Sequence, residues 1–517
     1  MTLCDDRRDT SAELLNDFID RWVAETPDAT AIDYQDRVWS WRQWRERIDR
    51  LAGYLTGIGV TAGDRVAVLD KNHPACLDLV FATAALGAAT VVLNWRLAPD
   101  ELDYALTDSG ATVLFVGAEF HPAAIERSSV RHLISIDDDP TGDYDTLLHA
   151  TAPATATPVV DPEAAALIIY SSGTTGRPKG VVLSQRALVA HTRNVGTRFP
   201  FTPGDANLVA MPFFHVGGVC YAFFGIRAGV RSILLRTRDA TALTHALTTG
   251  ATHAFLVPPV IKGLLTAEPT TRAAVGNLKI LGYGASPTPL GLLRDALAAW
   301  PTVGFVQVYG QTELSGVIAT LNPDDHRDPH RPHLLTAAGT PVPDAEVKII
   351  DITTGAEVPT GTQGELCFRS PQTMTGYLNR PHDTADTLTD GWIHTGDIGH
   401  LDHDGYLYCD DRLKDMIITG GENVYSPEVE RVLLDHPAIT DAAVIGIPHP
   451  HWVETVAAIV VLAHPTTETD IITHCRRHLA PYKCPRTVTF TTHLPRNSSG
   501  KLLKKDLRTT LLNNIDA

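Results

Sequence analysis

The stretch Tyr170-Ser-Ser-Gly-Thr-Thr-Gly-Arg-Pro-Lys-Gly180 lies between two apolar runs, 164–169 and 181–183. The pattern predicts two strands joined by a loop. Glycines let loop backbone approach a ligand closely, because they lack a Cβ atom and tolerate positive φ. The hydroxyl groups donate hydrogen bonds, and Arg177 and Lys179 add positive charge. This composition is more typical of a polyphosphate site than of a solvated hairpin loop.

The loop differs from a Walker A loop, which requires Gly-x4-Gly-Lys followed by Ser or Thr at the start of a helix. Here Lys179 is followed by Gly180 and then by strand-like residues. The stretch resembles the phosphate-binding signature of the adenylate-forming superfamily: acyl-CoA synthetases, peptide-synthetase adenylation domains and luciferases. The resemblance implies that the loop binds ATP through Ser171, Ser172, Gly173, Thr174, Thr175, Gly176 and Lys179.

The chain has 517 residues, of which 44% are hydrophobic and 20% are charged, and this composition is that of a globular protein. The net charge of −17 disfavours nucleic acid and anionic membrane surfaces as partners. The seven cysteines include no Cys-x-x-Cys pair, so we expect neither a zinc cluster nor a disulfide framework. With no signal core and no apolar run of about 20 residues, we expect a cytoplasmic protein without integral membrane association.

Hydrophobic periodicity predicts an α/β fold built from two alternating regions. The first alternates strands and helices in a βαβαβ order, which implies a parallel sheet; its elements are predicted at 65–69, 74–87, 91–93, 99–108 and 111–116. A capping box, Ser40 with Gln43, starts an earlier helix. The second region contains buried strands predicted at 208–211, 232–235, 254–257, 278–281 and 303–308.

The sequence pattern changes after about residue 339. Short alternating strands with Gly and Pro turns reach to about 408 and predict a small β-barrel-like subdomain. A compact tail follows. We therefore expect a large N-terminal domain over 1–410, made of parallel-sheet α/β subdomains plus the β-barrel-like piece, and a small α+β C-terminal domain over 411–517. The family resemblance implies that this small domain is mobile.

Two stretches resemble the acyl and adenine motifs of the superfamily: Met211-Pro-Phe-Phe-His-Val-Gly-Gly218 and Gly282-Tyr-Gly-Ala-Ser-Pro287. Standing alone, the first would indicate only a buried histidine at a strand end. The resemblance implies that His215 borders the acyl chain and the phosphate end. It also implies an acyl pocket formed by Phe214, His215, Val216, Gly217, Gly282, Tyr283, Gly284, Val308, Gly310 and Gly316. Tyr283 is bulky for its stretch, and we expect it to shape this pocket.

Val308-Tyr-Gly-Gln-Thr-Glu313 and Trp392-Ile-His-Thr-Gly-Asp397 resemble the nucleotide motifs. By resemblance, Tyr309 stacks on adenine, Thr312 contacts the α-phosphate and Asp397 accepts from the ribose hydroxyls. Glu313 would hold Mg²⁺, and a carboxylate beside phosphates suits that ion. The remaining AMP contacts implied are Gly284, Ala285, Ser286, Val308, Gly310, Gln311, Arg412 and Lys501.

Two later stretches resemble further motifs of the superfamily. The first is the hinge and pantetheine-channel segment, and the second is the loop that carries the adenylation lysine. In Asp411-Arg-Leu-Lys-Asp-Met-Ile-Ile-Thr-Gly-Gly-Glu-Asn423, Lys414 occupies the hinge position and the paired glycines would let a thiol arm pass. Pro495-Arg-Asn-Ser-Ser-Gly-Lys501 resembles the loop with the adenylation lysine. The implied CoA contacts are Gly420, Gly421, Glu422, Trp452, Tyr482 and Arg486.

The resemblance implies a two-step ligase that uses ATP, Mg²⁺ and CoA. A carboxylate attacks the α-phosphorus of ATP to give acyl-AMP and pyrophosphate, and a thiol then displaces AMP. Positioning and charge neutralisation would drive the first step. The implied catalytic residues are Lys179, His215, Thr312, Glu313 and Lys501.

The identity of the acid and of the acceptor stays open. The chain lacks the Phe-Asp element with which amino-acid-activating domains hold an α-amine, so we expect an uncharged fatty, aromatic or polycyclic tail. Glycines at 217, 218, 282 and 316 predict a roomy pocket. The alternatives are an acyl-AMP ligase that loads a separate carrier protein, a member that performs one half-reaction, and a non-enzymatic regulator. Lys179, Glu313 and Lys501 together argue against the regulator. A homodimer is left open.

Lys501→Ala should abolish acyl-AMP formation and spare thioester formation from preformed acyl-AMP, because the lysine neutralises charge only in the first step. Pyrophosphate release and thioester formation, measured separately, check this. An equal loss in both steps would refute the role given to Lys501.

Overall fold

The computed structural model describes residues 13–120, 130–139, 141–154, 158–171, 177–419, 422–496 and 501–515. None of the helices in these ranges is long and apolar enough to cross a bilayer. In chain order they are α1 (Asp17–Glu25), α2 (Trp41–Gly57), α3 (Pro74–Ala85), α4 (Pro99–Ser109), α5 (Asp143–Ala150), α6 (Gln185–Gly196), α7 (Val216–Ala228), α8 (Ala240–Thr248), α9 (Pro258–Leu265), α10 (Pro269–Val275), α11 (Leu290–Ala299), α12 (Pro381–Thr387), α13 (Ser426–Leu434), α14 (Glu468–His478) and α15 (Lys504–Ile515).

Strands of the described residues form four sheets. In chain order they are β1 (Thr30–Tyr34), β2 (Arg37–Ser40), β3 (Arg65–Leu69), β4 (Ala89–Val92), β5 (Val113–Gly117), β6 (His132–Ile136), β7 (Ala165–Ser171), β8 (Lys179–Ser184), β9 (Ala206–Val209), β10 (Arg231–Leu234), β11 (His253–Leu256), β12 (Ile280–Gly284), β13 (Gly304–Gln311), β14 (Gly316–Leu321), β15 (Thr340–Pro341), β16 (Glu346–Ile350), β17 (Gly364–Arg369), β18 (Gly376–Tyr377), β19 (Leu388–Thr389), β20 (Trp392–Leu401), β21 (Leu407–Arg412), β22 (Ile417–Thr419), β23 (Glu422–Val424), β24 (Ile439–His449), β25 (Val453–Leu462) and β26 (Thr487–Thr491).

The first large sheet has the strand order β18-β8-β7-β4-β3-β5-β6. Strands β3, β4 and β5 are parallel, as the βαβαβ pattern predicts. The hairpin predicted around the opening loop is also present, because β7 and β8 pair antiparallel with Tyr170 opposite Gly180. The short strand β18 adds to the free edge of β8. This edge brings a segment about 200 residues further along the chain beside β8.

The second large sheet has nine strands in the order β15-β14-β13-β12-β11-β9-β10-β1-β2. Its central strands, β9 to β13, are parallel to one another. The predicted buried strands of the second region are these strands, with ends displaced by one to three residues. Ligands of open parallel sheets bind beyond the carboxyl ends of the strands. The carboxyl ends of β9, β12 and β13 lead into the segments that begin at Ala210, Ala285 and Thr312.

The two large sheets share one core, into which apolar helices are packed. Every residue of α3 is buried, and α3 contacts β3, β4 and β7. Helix α6 touches β7 and β8 of one sheet and β14 of the other, while α7 lies on β9 and β10. A helix that is buried on all sides is apolar over most of its circumference, as α3 is apart from Asp78 and Thr83. This packing orients the face of α7 that lines the site described below.

A small antiparallel sheet follows, in which β20 pairs with β17, β19 and β21, and β16 pairs with β17. The last sheet contains β22 to β26. The boundary predicted after residue 410 falls inside a strand, because β21 continues to Arg412 opposite Asp397. The link between the last two sheets is therefore 413–416, which contains Lys414.

A buried carboxylate ties α2, α3 and α5 together. Asp78 is fully buried and accepts from Trp44 Nε1 at 2.8 Å, Tyr144 Oη at 2.8 Å and Arg47 Nη2 at 3.0 Å. A buried charge is tolerated only when it is paired and hydrogen-bonded. Arg47 also contacts Asp145 at 2.6 Å. This cluster therefore depends on every member.

Asp78→Ala should lower the free energy of unfolding by about 3 kcal/mol, because it leaves a buried guanidinium and two buried donors short of an acceptor. Urea unfolding followed by circular dichroism measures the change. The control is Asp28→Ala, whose pair with Arg42 is exposed and should change stability by less than about 0.5 kcal/mol. Equal losses in the two variants would contradict the assignment.

Candidate active site

A cavity of about 180 Å³ opens where β9, β12 and β13 end. The start of α7, the middle of α6 and the turn between β13 and β14 complete its wall. Most of the lining is apolar or aromatic, and no lysine, arginine, aspartate or glutamate belongs to it. The lining residues are His191, Phe199, Met211, His215, Val216, Gly217, Cys220, Tyr221, Phe224, Phe255, Ala285, Val308, Gly310, Gln311, Thr312, Gly316 and Val317.

A stack of rings forms one wall of the cavity. The rings of Phe199 and Phe224 lie 5.4 Å apart at an interplanar angle of 19°, and His191 stacks on Phe224 at 5.4 Å. His191 Nε2 accepts a hydrogen bond from the backbone N–H of Val317 at 3.1 Å. Burial lowers the pKa of His191 to about 3, so this imidazole is neutral. The wall is rigid and uncharged.

His215 lies at the N-cap position of α7 and also lines the cavity. Burial lowers its pKa to about 4, and the positive charges of Arg96 and Arg238 act in the same direction. A neutral imidazole at this point can donate or accept a hydrogen bond without bringing a charge into the apolar cavity. Thr312 is a further polar residue of the lining, and Val308 and Gly310 of the lining flank Tyr309, which belongs to the polar cluster described next.

Asp397 is the centre of a polar cluster contributed by three strands. Tyr309 of β13 donates its hydroxyl to Asp397 Oδ2 at 2.7 Å, and Arg412 Nε of β21 lies 2.6 Å from Oδ1. Asp397 is only 3% exposed. The contact with Arg412 is an ion pair without hydrogen-bond geometry, so Oδ1 has no hydrogen-bond donor among the described residues. An unfilled acceptor on a buried carboxylate fits the hydroxyls of a ribose.

Lys501 belongs to the same cluster, although it lies about 100 residues further along the chain. Its pKa is lowered to about 8, mainly by burial; the positive charges of Arg412 and Lys414 act in the same direction, and Asp397 and Asp415 act against it. These influences place its ammonium group among the charges around Asp397. The pKa of Lys414 is also lowered, first by burial and also by Arg412. The C-terminal lysine thus faces the predicted nucleotide residues.

Glu313 and Lys179 meet at Tyr377, a residue for which the sequence carries no local signal. Tyr377 donates its hydroxyl to Glu313 Oε1 at 2.7 Å, and Lys179 Nζ lies 4.9 Å from the centre of its ring. Lys179 Nζ also contacts Asp383 Oδ1 at 2.6 Å. The carboxylate of Glu313 offers the hard oxygen that Mg²⁺ requires, so the donor fits this ion. To act as predicted, Lys179 must break its ion pair with Asp383 and bind a phosphate instead.

The structure separates the predicted acyl-pocket residues into two groups. His215, Val216, Gly217, Val308, Gly310 and Gly316 line the cavity. Phe214 instead packs against Trp95, and Gly282 and Gly284 lie behind the wall. Tyr283 was expected to shape the pocket and does not, because successive residues of a strand point to opposite faces. It is buried on the other side of β12 and contacts His326 Nε2 at 2.8 Å.

The expectation of a roomy pocket is also wrong. A Cβ atom at Gly218 would lie 2.1 Å from the carbonyl oxygen of Pro212, and one at Gly282 would lie 2.7 Å from the ring of Phe199. At these two positions neighbouring backbone and rings pack so closely that only glycine fits. The absence of a side chain therefore adds no open space, and the cavity volume is only about 180 Å³.

The predicted nucleotide contacts Ala285, Gln311 and Thr312 line the mouth of the cavity, and Ser286 is partly exposed beside it. Ser171 ends β7, with its hydroxyl 3.5 Å from the carbonyl oxygen of Lys179. Seven other predicted residues lie outside the described part of the chain: Ser172, Gly173, Thr174, Thr175, Gly176, Gly420 and Gly421.

The predicted CoA contacts lie on the C-terminal domain. Arg486 stacks over the ring of Trp452 at 5.1 Å, and this ring is 41% exposed. Tyr482 is equally exposed, and Glu422 is an exposed residue of β23. An exposed tryptophan under a guanidinium offers a flat surface and a positive charge together. The structure therefore brings two of these residues into direct contact.

Comparison with known proteins identifies the family. The AMP-binding enzyme family matches residues 19–378, and the AMP-binding enzyme C-terminal domain matches 428–501. The chain is 35% identical to a fatty acid–[acyl-carrier-protein] ligase of Streptomyces coeruleorubidus, over 93% of each chain. It is 36% identical to a feruloyl-CoA synthase of an Amycolatopsis species, over 93% of this chain and 96% of that one.

The fold agrees with solved structures. The o-succinylbenzoate-CoA synthetase of Bacillus subtilis, in complex with its acyl-adenylate intermediate, superposes with a TM-score of 0.83 at 30% identity, covering 95% of this chain and 97% of that one. The same enzyme has been solved with ATP and a magnesium ion. The predicted fold class and reaction class, an AMP-forming acid–thiol ligase using ATP, Mg²⁺ and CoA, are confirmed by these relatives. The chain belongs to the AMP-binding enzyme family.

Proposed function

We propose that this enzyme activates a carboxylic acid with an uncharged tail as acyl-AMP at the Asp397 cluster and passes the acyl group to CoA. One observation carries the proposal. The lining of the neutral cavity includes Val308 and Gly310, the chain neighbours of Tyr309, and Tyr309 donates to Asp397. The charged cluster of Asp397, Arg412 and Lys501 therefore adjoins the cavity and supplies the polar groups of the site. An acid held in the cavity would present its carboxylate towards the α-phosphate of a nucleotide held by the cluster.

In the first step the chain has to bring two anions together. Asp397 would accept from the ribose hydroxyls, and Tyr309, fixed by its hydrogen bond to Asp397, would lie against the adenine. Lys501 and Lys179 would stabilise negative charge on the phosphate oxygens, and Thr312 would donate a hydrogen bond to the α-phosphate. Glu313 would hold Mg²⁺, which offsets phosphate charge when it is bound. A carboxylate oxygen of the acid attacks the α-phosphorus and forms the acyl–phosphate bond. The bond between the α-phosphorus and the bridging oxygen breaks, and pyrophosphate leaves.

In the second step we propose that the C-terminal domain, 411–517 with its pivot at Lys414, rotates against the large domain, 1–410. Lys501 then leaves the cluster, and the segment with Gly420 and Gly421 replaces it. The thiolate attacks the acyl carbonyl carbon, and AMP departs with the bonding electrons. The short link 413–416 supports this motion, because hinges are a few residues at the ends of elements. Trp452 and Arg486 would meet the adenine and phosphates of CoA.

The thiol that accepts the acyl group has a second candidate besides CoA. The relative from Streptomyces coeruleorubidus is named as a ligase that acts with an acyl carrier protein. Its similarity to this chain supports a carrier-bound thiol as the alternative acceptor. The exposed Trp452–Arg486 pair favours free CoA, because a nucleotide end needs a stacking surface and a carrier protein does not.

We place the enzyme in the cytoplasm, since all cysteines in the described residues are free thiols, as a reducing compartment requires. Its partners would be small molecules, namely the acid, ATP and CoA, with no nucleic acid. Homodimer formation stays a prediction that light scattering of the purified protein can check.

ATP–pyrophosphate exchange over a panel of fatty, aromatic and polycyclic acids tests the function. We expect exchange with acids that have uncharged tails, followed by acyl-CoA formation detected by mass spectrometry when CoA is added. A parallel reaction with a phosphopantetheinylated carrier protein identifies the alternative acceptor. Absence of exchange with every acid in the panel would overturn the proposal.

The catalytic efficiency of adenylation should also fall at alkaline pH. The pKa of Lys501 is lowered to about 8, so its ammonium is present below that pH and is lost above it. The kcat/KM for ATP, which reports the free enzyme, should fall about tenfold per pH unit above pH 8. Pyrophosphate exchange between pH 6.5 and 10 measures this. In Lys501→Arg the charge persists, so the residual activity should show no such decline; an unchanged decline would contradict the assignment.

A further inference from the structure

The small antiparallel sheet carries three potential metal ligands that the proposed reaction does not use. Glu365 and Cys367 belong to β17, and His394 belongs to β20. One ligand atom of each residue lies within 4.8 Å of the ligand atoms of the other two. A carboxylate oxygen, a thiol sulfur and an imidazole nitrogen are the kinds of ligand atom that Zn²⁺ takes in proteins.

The pairing of the strands places these three side chains on one face of the sheet. Cys367 lies directly opposite His394, and residues that are directly opposite in an antiparallel pair share a face. Glu365 is two residues before Cys367 on the same strand, so it shares that face as well. The other face, with Leu366 and Phe368, packs into the main hydrophobic core. The three ligand groups therefore point away from that core.

The contacts of the three groups converge on one atom, His394 Nδ1. Glu365 Oε2 lies 3.0 Å from this nitrogen, and Cys367 Sγ lies 3.6 Å from it. An imidazole nitrogen carries either a proton or a lone pair, so Nδ1 cannot donate to the carboxylate and accept from the thiol at the same time. A catalytic Cys–His–Glu triad does not fit either, because it requires the thiol and the carboxylate on different ring nitrogens. A cation bound between the three groups satisfies all of them together.

The spacing of the ligand atoms matches a tetrahedral zinc ion. Bonds of about 2.3 Å to sulfur and about 2.0–2.1 Å to nitrogen set these two atoms about 3.6 Å apart. This is the separation of Cys367 Sγ and His394 Nδ1. A nitrogen and a carboxylate oxygen on the same ion lie about 3.4 Å apart, close to the 3.0 Å between His394 Nδ1 and Glu365 Oε2. Three protein ligands leave the fourth position of the ion for water.

The surroundings of the three groups orient the carboxylate and leave a path for the ion. The second oxygen of Glu365, Oε1, accepts from the backbone N–H of Gly396 at 3.0 Å. Hydrogen bonds of this kind hold the ligands of metal sites in position. The side chain of His394 is 27% exposed and that of Glu365 is 12% exposed. An ion can therefore reach the buried sulfur of Cys367 from the solvent side of these two ligands.

We propose that Glu365, Cys367 and His394 bind one Zn²⁺ ion through a carboxylate oxygen, a thiolate and imidazole Nδ1. Binding breaks the S–H bond of the thiol, forms the sulfur–zinc bond and releases the proton to solvent. The soft thiolate selects Zn²⁺ over Mg²⁺, so this ion is distinct from the one assigned to Glu313. The lack of a Cys-x-x-Cys pair gave no sign of the site, because its ligands come from two strands. The inference does not depend on the proposed function.

Titration with Co²⁺, which reports its ligands by absorption, tests the site. The full-length enzyme without an affinity tag is titrated in excess Mg²⁺, with its thiols kept reduced by a non-chelating phosphine. We expect one ion per chain to produce the ultraviolet charge-transfer band of a cobalt–thiolate bond and the visible bands of tetrahedral cobalt. Addition of Zn²⁺ should remove both sets of bands by displacing the Co²⁺.

Three ligand variants and one matched control assign the bands. Cys367→Ser should abolish the charge-transfer band, and Glu365→Gln and His394→Gln should each weaken Co²⁺ binding by about tenfold or more, because each removes a ligand. The control is His400→Gln. His400 lies on the same strand as His394, its side chain is also 27% exposed, and its Nδ1 lies 3.0 Å from Asp410 Oδ2 in a pair that includes no cysteine. This variant should bind Co²⁺ as the wild type does.

The outcomes are distinguishable from one another and from those of the proposed function. Absence of the charge-transfer band in the wild-type enzyme would overturn the inference, whether or not the variants fold. A band that persists in Cys367→Ser, or an equal loss of affinity in His394→Gln and His400→Gln, would also overturn it. Circular dichroism checks that each variant is folded. An enzyme that binds Co²⁺ as expected but catalyses no pyrophosphate exchange would overturn the proposed function alone.

Discussion

The carboxylate of Asp397 must be paired wherever it is buried, and its partners come from separate parts of the chain. Tyr309 belongs to the nine-stranded sheet, Arg412 ends the small antiparallel sheet, and Lys501 belongs to the C-terminal domain. Because the cost of leaving a buried charge unpaired is large, these elements must meet at one place. In the proposed function this meeting point would set the position of the nucleotide relative to the cavity. The remaining acceptor on Asp397 is what that arrangement leaves for a ligand.

The site divides into a charged half and a neutral half, and burial maintains the division. In the cavity the pKa values of His191 and His215 are lowered far enough to keep both imidazoles neutral. At the cluster, Arg412 stays charged beside Asp397, while Lys501 is brought to the edge of its charged range. The proposed reaction between two anions would benefit from this division, since positive charge would be concentrated at the phosphates and the acid tail would be held by apolar contacts.

In the proposed second step the link 413–416 is the hinge. It follows Arg412 directly, so the proposed rotation would begin beside the Asp397 cluster. Asp411 accepts from the backbone N–H of Ser426 at 2.7 Å and from its hydroxyl at 2.8 Å. Ser426 also accepts from Lys504. The start of α13 is therefore anchored to Asp411 of β21, directly before the link 413–416.

The sequence by itself determined the features that depend on local pattern. The hairpin around the opening loop and the βαβαβ order follow from short-range periodicity and residue type. The motifs containing Asp397 and Lys501 were identified by their resemblance to the adenylate-forming superfamily. Only the tertiary structure decided which faces meet. The orientation of Tyr283 depends on the phase of β12, and Tyr377 reaches Glu313 through an edge strand far away in sequence. The size of the cavity was likewise decided by packing, because a glycine leaves open space only where its neighbours do not fill it.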